Sequence, residues 1–480
     1  MSALGAAVWL VHTVQTQSVS YVYQRFTCLA AFFFLLSIYA FLKARLGSGR
    51  PNALFYAGTV AAGILAVGSK ENAATLPLIL LLIDWLLIRD KAPWLNRSVA
   101  ATSLLLLLRF LAVSFYFLGS NFLAMMESDY ERRGITLVER LLTETRVVVF
   151  YMSLLVYPHP SRLRLDYDFS LSRSLLSPPT TLLSLIVIFA AVGVALYRWR
   201  KNRFLSFAIL WFFGNLIIES SFVPLDLVYE HRLYIPSMAP LLLLSGFYLR
   251  SVWSWRHRWI TGLPMAVVVV TLGLWTVQRN RVWSDPVALW QDNVAKSPYK
   301  ARVHANLARA YLDRGQWAPA QAHLEQAIRL DPSTLEARTL LGNLYLDHLG
   351  DLERAGVHFR QVLAIQPENA AALVGSGVVL LRRGEPLLAA DLFEEILERE
   401  PWNHEALLNL ASSYFNLGDY RETITVTRAA LRYWPTDARI YALLGAAYQE
   451  VEEEELAKSA LDKALEIDPQ NQLARRRRER

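Results

Sequence analysis

Glu230, His231 and Arg232 are consecutive in the sequence, and Tyr234 follows them at the start of an apolar stretch, 234–250. A carboxylate in such a place can take a proton from a hydroxyl, and a guanidinium can bind phosphate oxygens in pairs. Ionisable groups beside membrane-length apolar stretches indicate a functional site. The alternative is that the cluster only anchors a helix at a membrane interface.

Two aspartates, Asp166 and Asp168, lie two residues apart in the peptide LDYDF. In an extended segment their side chains would face the same way. There they could contact the hydroxyls of a ligand or a divalent metal, and ordinary loop aspartates are the alternative. Arg162 and Arg164, just before them, could attract phosphate or merely lipid headgroups.

Other polar residues lie where apolar stretches end. Lys70 and Glu71 occupy a short turn between two apolar stretches, and they either pair and cap the second helix or bind a ligand. His12, with Gln15 and Gln17, ends the first apolar stretch. A histidine at a helix end has either a structural or a binding role, and the sequence leaves both open.

Several classes of site find no support in the sequence. Nothing resembles a glycine-rich nucleotide loop, a zinc motif or a Ser–His–Asp set. Cys28 is the only cysteine, so neither an internal disulfide nor a cysteine-based metal site is expected. The net charge of +7 comes mostly from short loops between apolar stretches and does not indicate nucleic-acid binding.

The elements that would position these residues are helices in two different solvents. Apolar residues make up 54% of the chain and charged residues 19%, and the apolar ones concentrate in 1–283. We therefore predict an all-α protein with a polytopic transmembrane domain, 1–283, followed by a soluble helical domain, 284–480. The apolar segments lie near 3–14, 26–44, 53–68, 71–88, 99–118, 179–198, 204–222, 234–250 and 259–278.

Basic residues in short loops predict the orientation of these segments. Four clusters, around Arg45, Arg97, Arg200 and Arg256, should be cytoplasmic, so an even number of crossings separates the second cluster from the third. Segment 135–157 then should not cross. Its charged residues at helical spacing are typical of an amphipathic helix at the interface, although a spanning helix is the alternative. The long loop 119–178 and the C-terminal domain lie on the outer side in this topology.

The C-terminal domain is repetitive. Prolines recur at 298, 332, 367, 401, 435 and 469, which is the spacing of TPR helical hairpins. The predicted repeats are 299–332, 333–367, 368–401, 402–435 and 436–469. Such a solenoid presents a concave groove that binds proteins or peptides. Asn306, Arg309 and Asn409 are the candidates for that groove, and ordinary surface residues are the alternative.

Four peptides of the membrane domain together resemble a known family. They are VHTVQTQSVSYVYQRFTCLAAFFFLLSIY (11–39), GSKENAATLPLILLLIDWLL (68–87), RLDYDFSLSRSLLSPPTTLLSL (164–185) and VPLDLVYEHRLYIPSMAPLLLL (223–244). In this order, with TPR repeats after them, they are similar to the transmembrane-and-TPR protein O-mannosyltransferases and their bacterial relatives, in the C-type glycosyltransferase superfamily.

The resemblance implies transfer of a sugar, of mannose type, from a polyprenyl-phosphate carrier to a protein or other hydroxyl acceptor held by the repeats. Family members carry their catalytic acidic residues in the first outer loop. This chain starts at what resembles the third helix, so we expect that loop to be missing. Glu230, Asp166 and Asp168 are then the catalytic candidates.

The remaining candidates would bind the substrate or its lipid phosphate: His12, Lys70, Glu71, Arg162, Arg164, His231, Arg232 and Tyr234. The resemblance implies a multi-pass protein of the bacterial inner membrane with periplasmic repeats, or of the endoplasmic reticulum with luminal repeats if the source is eukaryotic. A non-catalytic membrane scaffold with a TPR groove is the main alternative, and a lipid-carrier transporter is a weaker one.

Overall fold

A computed structural model describes residues 2–46, 53–88, 121–253 and 258–479, and within them the protein is helical without strands. The all-α prediction is confirmed for this part of the chain. The structure divides into two compact units, Met1–Ser297 and Pro298–Arg480. The sequence analysis predicted the domain boundary at 283. In the structure the helix that follows, Pro286–Lys296, belongs to the first unit.

The first unit contains the helices that carry most of the candidate site. They are α1 (Ser2–Val11), α2 (Thr16–Ser20), α3 (Arg25–Leu46), α4 (Ala53–Ser69), α5 (Leu76–Ile83), α6 (Asn121–Arg133), α7 (Leu137–Val156), α8 (Thr180–Arg198), α9 (Arg203–Leu216), α10 (Met238–Trp253), α11 (Arg258–Trp283) and α12 (Pro286–Lys296). Short 3-10 turns lie at Thr13–Gln15, Val22–Gln24, Glu71–Thr75, Pro160–Arg162 and Glu230–Leu233.

Four helical stretches are long and apolar enough to cross a membrane: Val22–Leu46, Glu71–Ile88, Thr180–Arg198 and Gly262–Trp283. They match predicted segments, and large apolar side chains such as Phe189 remain 71% exposed on them. Such exposure is expected of a surface that faces lipid. The chain is therefore a membrane protein. Predicted segment 99–118 lies outside the described residues.

Helix α7 differs from its prediction. A capping box between Thr136 and Glu139 starts the helix. The charged residues of this helix were expected to face the membrane interface. However, two of them are buried, because the side chains of Arg140 and Glu144 are 0% and 2% exposed. The helix packs this face against α8 and the segment after α9, so part of its charged face points into the protein.

The second unit consists of helical hairpins and a final short helix. Its helices are α13 (Ala301–Leu312), α14 (Trp317–Leu330), α15 (Leu335–Leu344), α16 (Leu352–Ile365), α17 (Ala370–Arg383), α18 (Pro386–Arg399), α19 (His404–Leu417), α20 (Tyr420–Tyr433), α21 (Ala438–Glu450), α22 (Glu454–Ile467) and α23 (Gln472–Arg478). A π-helical turn, Tyr345–Leu349, extends α15 and accommodates the extra residue of the second repeat.

Glycines bring the helices of these hairpins close together. A Cβ on Gly342 or Gly375 would lie within 3 Å of the ring of Phe359, and a Cβ on Gly377 would meet Phe393 in the same way. The repeats therefore depend on small residues opposite large ones. This complementarity packs the core of the repeats closely.

The turn between the two helices of each hairpin needs a left-handed residue. Gly315, Gly350, Gly384 and Gly418 adopt it with φ between 69° and 84°. In the fifth repeat the same position is Glu452, with φ of 61°. A side chain in this conformation costs about 1–2 kcal/mol, which glycine avoids.

Glu452→Gly should therefore stabilise the last hairpin by about 1 kcal/mol, because relief of strain exceeds the added flexibility of the unfolded chain. Hydrogen–deuterium exchange of the full chain should show amides of α21 and α22 exchanging about five times more slowly. Gly418→Ala is the matched control and should speed exchange in α19 and α20. Equal exchange in E452G and the wild type would contradict this account.

Candidate functional site

The polar segment, residues 12–18, crosses the interior of the first unit directly after α1. Its polar side chains are all at most 5% exposed. His12 Nε2 lies 3.2 Å from the carbonyl of Leu155, and Gln15 Nε2 donates to Ser237 Oγ at 3.0 Å. Burial lowers the pKa of His12 to about 4, so this imidazole is neutral at physiological pH.

Gln17 connects the polar segment to the turn Glu230–Leu233. Its Oε1 accepts from the backbone N–H of His231 at 2.8 Å and lies 3.2 Å from His231 Nδ1. Burial, followed by the charges of Lys70 and Arg232, holds the pKa of His231 well below its usual range. His231 is therefore a neutral hydrogen-bonding group, stacked on Tyr229 with ring centroids 5.0 Å apart.

Glu230 is fully buried and points the other way. Its Oε1 accepts from the backbone N–H of Arg164 at 2.6 Å and from the Tyr167 hydroxyl at 2.8 Å. Burial raises the pKa of Glu230, and the charges of Arg279 and Lys296 oppose that rise. The turn thus fixes the carboxyl between the loop 160–169 and α11.

Arg232 points in a third direction and is held by protein groups. Its Nη1 and Nη2 donate to the carbonyls of Leu227 and Asp226 at 2.9 and 2.6 Å. Its Nη1 also lies 4.0 Å from Glu144. These bonds shape the loop just before the turn, so part of the phosphate-binding capacity of Arg232 is already in use.

Five charged residues form a buried ion network between α7, the segment after α9, the turn after α4 and the turn Glu230–Leu233. Arg140 Nη2 donates to Glu144 Oε1 at 3.1 Å, and Lys70 Nζ lies 3.5 Å from Glu219. Arg232 completes the set. Lys70 also donates to Thr27 Oγ1 at 3.0 Å, whereas Glu71 is exposed at the start of its 3-10 turn.

The loop 160–169 does not present its two aspartates together. Asp166 is buried and Asp168 is exposed, because the chain bends at 165–166 instead of running extended. The shared face expected from their spacing is therefore absent. Asn293 Oδ1 accepts from the backbone N–H of Asp166 at 3.1 Å and so fixes this bend against α12.

The remaining candidates lie around this loop and beside α1. Arg162 donates to the carbonyl of Tyr157 at 2.9 Å, and Arg164 Nη1 donates to the carbonyl of Lys296 at 2.5 Å. The ring of Tyr234 packs edge-on against Trp9 with centroids 4.9 Å apart.

Sequence reasoning did not select Arg140, Glu144, Glu219 or Arg279 as site residues. Burial raises the pKa of Glu144 to about 7, and the neighbouring Arg232 and Arg140 oppose the rise. The i,i+4 spacing of Arg140 and Glu144 in an apolar helix was the one sequence pattern that could have indicated their ion pair. Arg279 is 1% exposed and pairs with Asp292 at 2.7 Å.

Several buried polar atoms here have no hydrogen-bond partner among the described residues. Buried polar groups normally have one, so an unusual number in one place indicates capacity to bind a polar ligand. They include His12 Nδ1, Gln15 Oε1, Gln17 Nε2, Glu219 Oε2, Glu230 Oε2, Arg279 Nε and Arg279 Nη2. Within the described ranges, no group of three or more His, Cys, Asp or Glu side chains could hold a metal ion.

The groove candidates lie on first helices of the repeats. Arg309 forms an ion pair with Glu336 of the next hairpin, and Asn409 Nδ2 donates to the carbonyl of Glu405 at 2.8 Å. Asn306 is half-buried. Arg309 and Asn409 therefore already have partners within the repeat unit.

Comparison with known proteins identifies the second unit. Tetratricopeptide-repeat family models match residues 306–368, 380–447 and 438–471. This chain is therefore a membrane protein that carries TPR repeats. Its repeats also resemble the solved TPR protein YrrB, described as having an unusual peptide-binding site, at 24% identity, covering 40% of this chain and 98% of that protein. The TM-score of this match is 0.33.

The chain is similar to protein O-mannosyl-transferases. TMTC1 of Homo sapiens is 28% identical over 232 residues, which are 45% of this chain and 25% of the relative. F38B6.6 of Caenorhabditis elegans is 24% identical over 68% of this chain and 45% of the relative. The bacterial cellulose synthase operon protein C of Xanthomonas axonopodis is 30% identical over 37% of this chain and 12% of the relative.

The similarity to the Caenorhabditis protein extends beyond the repeats. A match over 68% of the chain is longer than the repeat unit, 298–480, so the likeness to the Caenorhabditis protein includes part of the membrane unit. The resemblance found from the four peptides is thus confirmed. The matched part spans less than half the length of each of these three relatives.

Tyr167→Phe should destabilise the first unit by about 1.5–3 kcal/mol, because it removes a hydrogen bond to a buried carboxyl. The apparent melting temperature of the detergent-solubilised chain is the measurement. Tyr197→Phe is the matched control, since Tyr197 is 75% exposed. If both variants melt like the wild type, the Tyr167–Glu230 hydrogen bond does not hold the site together.

The raised pKa of Glu144 predicts a pH dependence. The folded protein retains the proton up to about pH 7 and the unfolded chain releases it near 4.5, so this group lowers stability as pH rises between these values. The contribution is about 3 kcal/mol at most. Glu144→Gln should flatten the dependence of melting temperature on pH between 5 and 8. An unchanged slope would show that another group titrates.

Proposed function

We propose that this chain is a membrane glycosyltransferase that moves a sugar from a polyprenyl-phosphate carrier to a hydroxyl acceptor. The observation that carries this proposal is the set of buried polar groups from the polar segment, the turn Glu230–Leu233 and α11. Some of their atoms have no partner among the described residues. The names of the O-mannosyl-transferase relatives support it and favour a mannose-type sugar.

In this reaction, the acceptor oxygen forms a bond to the anomeric carbon while the bond from that carbon to the phosphate oxygen breaks. The acceptor proton passes to a carboxylate, and polyprenyl phosphate leaves. Glu230 suits the proton-accepting role, because its Oε2 has no hydrogen-bond partner in the described structure and burial raises its pKa. Asp166 and Asp168 remain the other candidates.

Arg279 suits the departing phosphate. Its Nε and Nη2 have no hydrogen-bond partner within the described residues, although Nη1 pairs with Asp292. A guanidinium that offers two adjacent N–H groups matches two phosphate oxygens. His12, Gln15 and Gln17 would then hydrogen-bond the sugar hydroxyls through the polar atoms that they do not use within the protein.

The repeats would hold the acceptor protein or peptide, as TPR grooves commonly do. The positive-inside pattern supports a multi-pass topology in which the site and the repeats lie outside the cytoplasm. That place is the periplasm of a bacterium or the lumen of the endoplasmic reticulum in a eukaryote.

A second candidate function is a non-catalytic membrane scaffold. The existing protein partners of Arg232 and Lys70 favour it. In this case the buried charges only hold the fold together, and the repeats recruit a partner protein.

The two functions differ in one assay. The full chain, reconstituted in liposomes with radiolabelled polyprenyl-phosphate mannose and a serine- and threonine-rich peptide, should release polyprenyl phosphate and label the peptide. Arg279→Gln should reduce the rate about 100-fold, as loss of a charge-stabilising donor does. Arg281→Gln is the matched control, because Arg281 lies on the same helix and is exposed.

Size-exclusion profiles of both variants should match that of the wild type. If the wild-type chain transfers no sugar and releases no polyprenyl phosphate, the enzymatic proposal is wrong for this chain and the scaffold is the better account. Equal rates for R279Q and R281Q would instead remove Arg279 from the site.

A further inference from the structure

A separate cavity lies between α7, α8 and α9. Its volume is about 430 Å³, in the size range of pockets that bind small molecules. Its walls are apolar and include Leu142, Ile188 and Phe213. The residues of this cavity do not belong to the polar segment or to the turn Glu230–Leu233.

The cavity opens on a lipid-facing surface. Leu141 and Ile217 line it and are 42% and 53% exposed. Helix α8 is one of the four candidate spans, and only 17% of its apolar window is buried inside the protein. A hydrocarbon chain can therefore enter this groove sideways from the bilayer.

The groove has one polar end, where Glu144 and Ser220 line it. Glu144 is 2% exposed, and its Oε1 is held by Arg140. Its Oε2 has no hydrogen bond of normal geometry to any described residue, and the Ser220 hydroxyl lies close enough to interact with the Glu144 carboxyl. A carboxyl oxygen and a hydroxyl, both buried at the end of an apolar groove, point to a ligand with a matching polar group.

The surrounding charges decide which polar group fits. The buried ion network contains three cations, Arg140, Arg232 and Lys70, against Glu144 and Glu219, so a cationic ligand would add to an excess of positive charge. An anionic headgroup would meet the Glu144 carboxyl first, because the described residues that line the groove include no arginine or lysine. A neutral hydroxyl can donate to Oε2 and accept from Ser220, in place of the direct contact between these two side chains.

We propose that this groove binds a neutral long-chain lipid alcohol, with its hydroxyl between Glu144 Oε2 and Ser220 Oγ and its hydrocarbon chain between α7, α8 and α9. The binding does not depend on the proposed sugar transfer. It assigns to the membrane unit a second lipid site, for an uncharged lipid.

The test uses hexadecanol that carries a diazirine in mid-chain, with the full chain in nanodiscs of phosphatidylcholine. Photolabelling should map to α7, α8 and α9 by peptide mass spectrometry, and unlabelled hexadecanol should compete whereas hexadecane should not. Diazirine-bearing hexadecylamine and hexadecyl phosphate should label these helices at least several-fold less. Equal labelling by all three probes would overturn the proposal and indicate contact with bulk lipid only.

Two variants separate the groove from the general lipid surface. Leu185→Trp fills the groove, leaves the residues of the ion network unchanged and should reduce labelling about tenfold, whereas Leu183→Trp, on the exposed face of α8, should not. Ser220→Ala should weaken competition by hexadecanol by roughly 2- to 10-fold, as loss of one hydrogen bond does. If L185W labels like L183W, the alcohol does not occupy this groove.

Discussion

The first unit depends on one buried guanidinium. Arg140 is 0% exposed, and it would be strongly destabilising there without partners for its N–H groups. It donates to the carbonyls of Ser221 and Leu225 and to the carboxylate of Glu144. Because two of these acceptors are backbone atoms, the segment after α9 can take only a conformation that reaches α7. The chain that leaves this segment leads directly to the turn Glu230–Leu233.

The buried charges show how the protein keeps ionised groups inside a membrane unit. Arg232 and Glu219 join the Arg140–Glu144 pair, and the positive charge of Arg232 is balanced by both Glu144 and Glu219. Glu230 is separated from it and is balanced by Arg279 and Lys296 instead. Because the charges are divided between these two groups, each group keeps a carboxyl oxygen without a hydrogen-bond partner among the described residues, Glu144 Oε2 in one and Glu230 Oε2 in the other.

Sequence patterns predicted the features that arise from local interactions. The proline spacing predicted the repeats because each hairpin packs on its neighbours in the sequence. The charge spacing on α7 was misleading, since it cannot tell whether a polar face meets water or carbonyls about eighty residues away. The aspartate pair failed in a similar way. The prediction that both side chains face the same way required an extended backbone, but Asn293, far along the chain, fixes a bend at Asp166.

The turn Glu230–Leu233 shows why adjacency in sequence did not reveal roles. In a 3-10 turn successive side chains point about 120° apart, so three neighbours face three different surroundings. Glu230 contacts the loop 160–169, His231 contacts Gln17, and Arg232 joins the network on α7. The three residues that looked like one catalytic group therefore connect three parts of the unit: the loop 160–169, the polar segment and the ion network. Because all three parts contact the same turn of four residues, a displacement of one part must move the turn and so affect the other two.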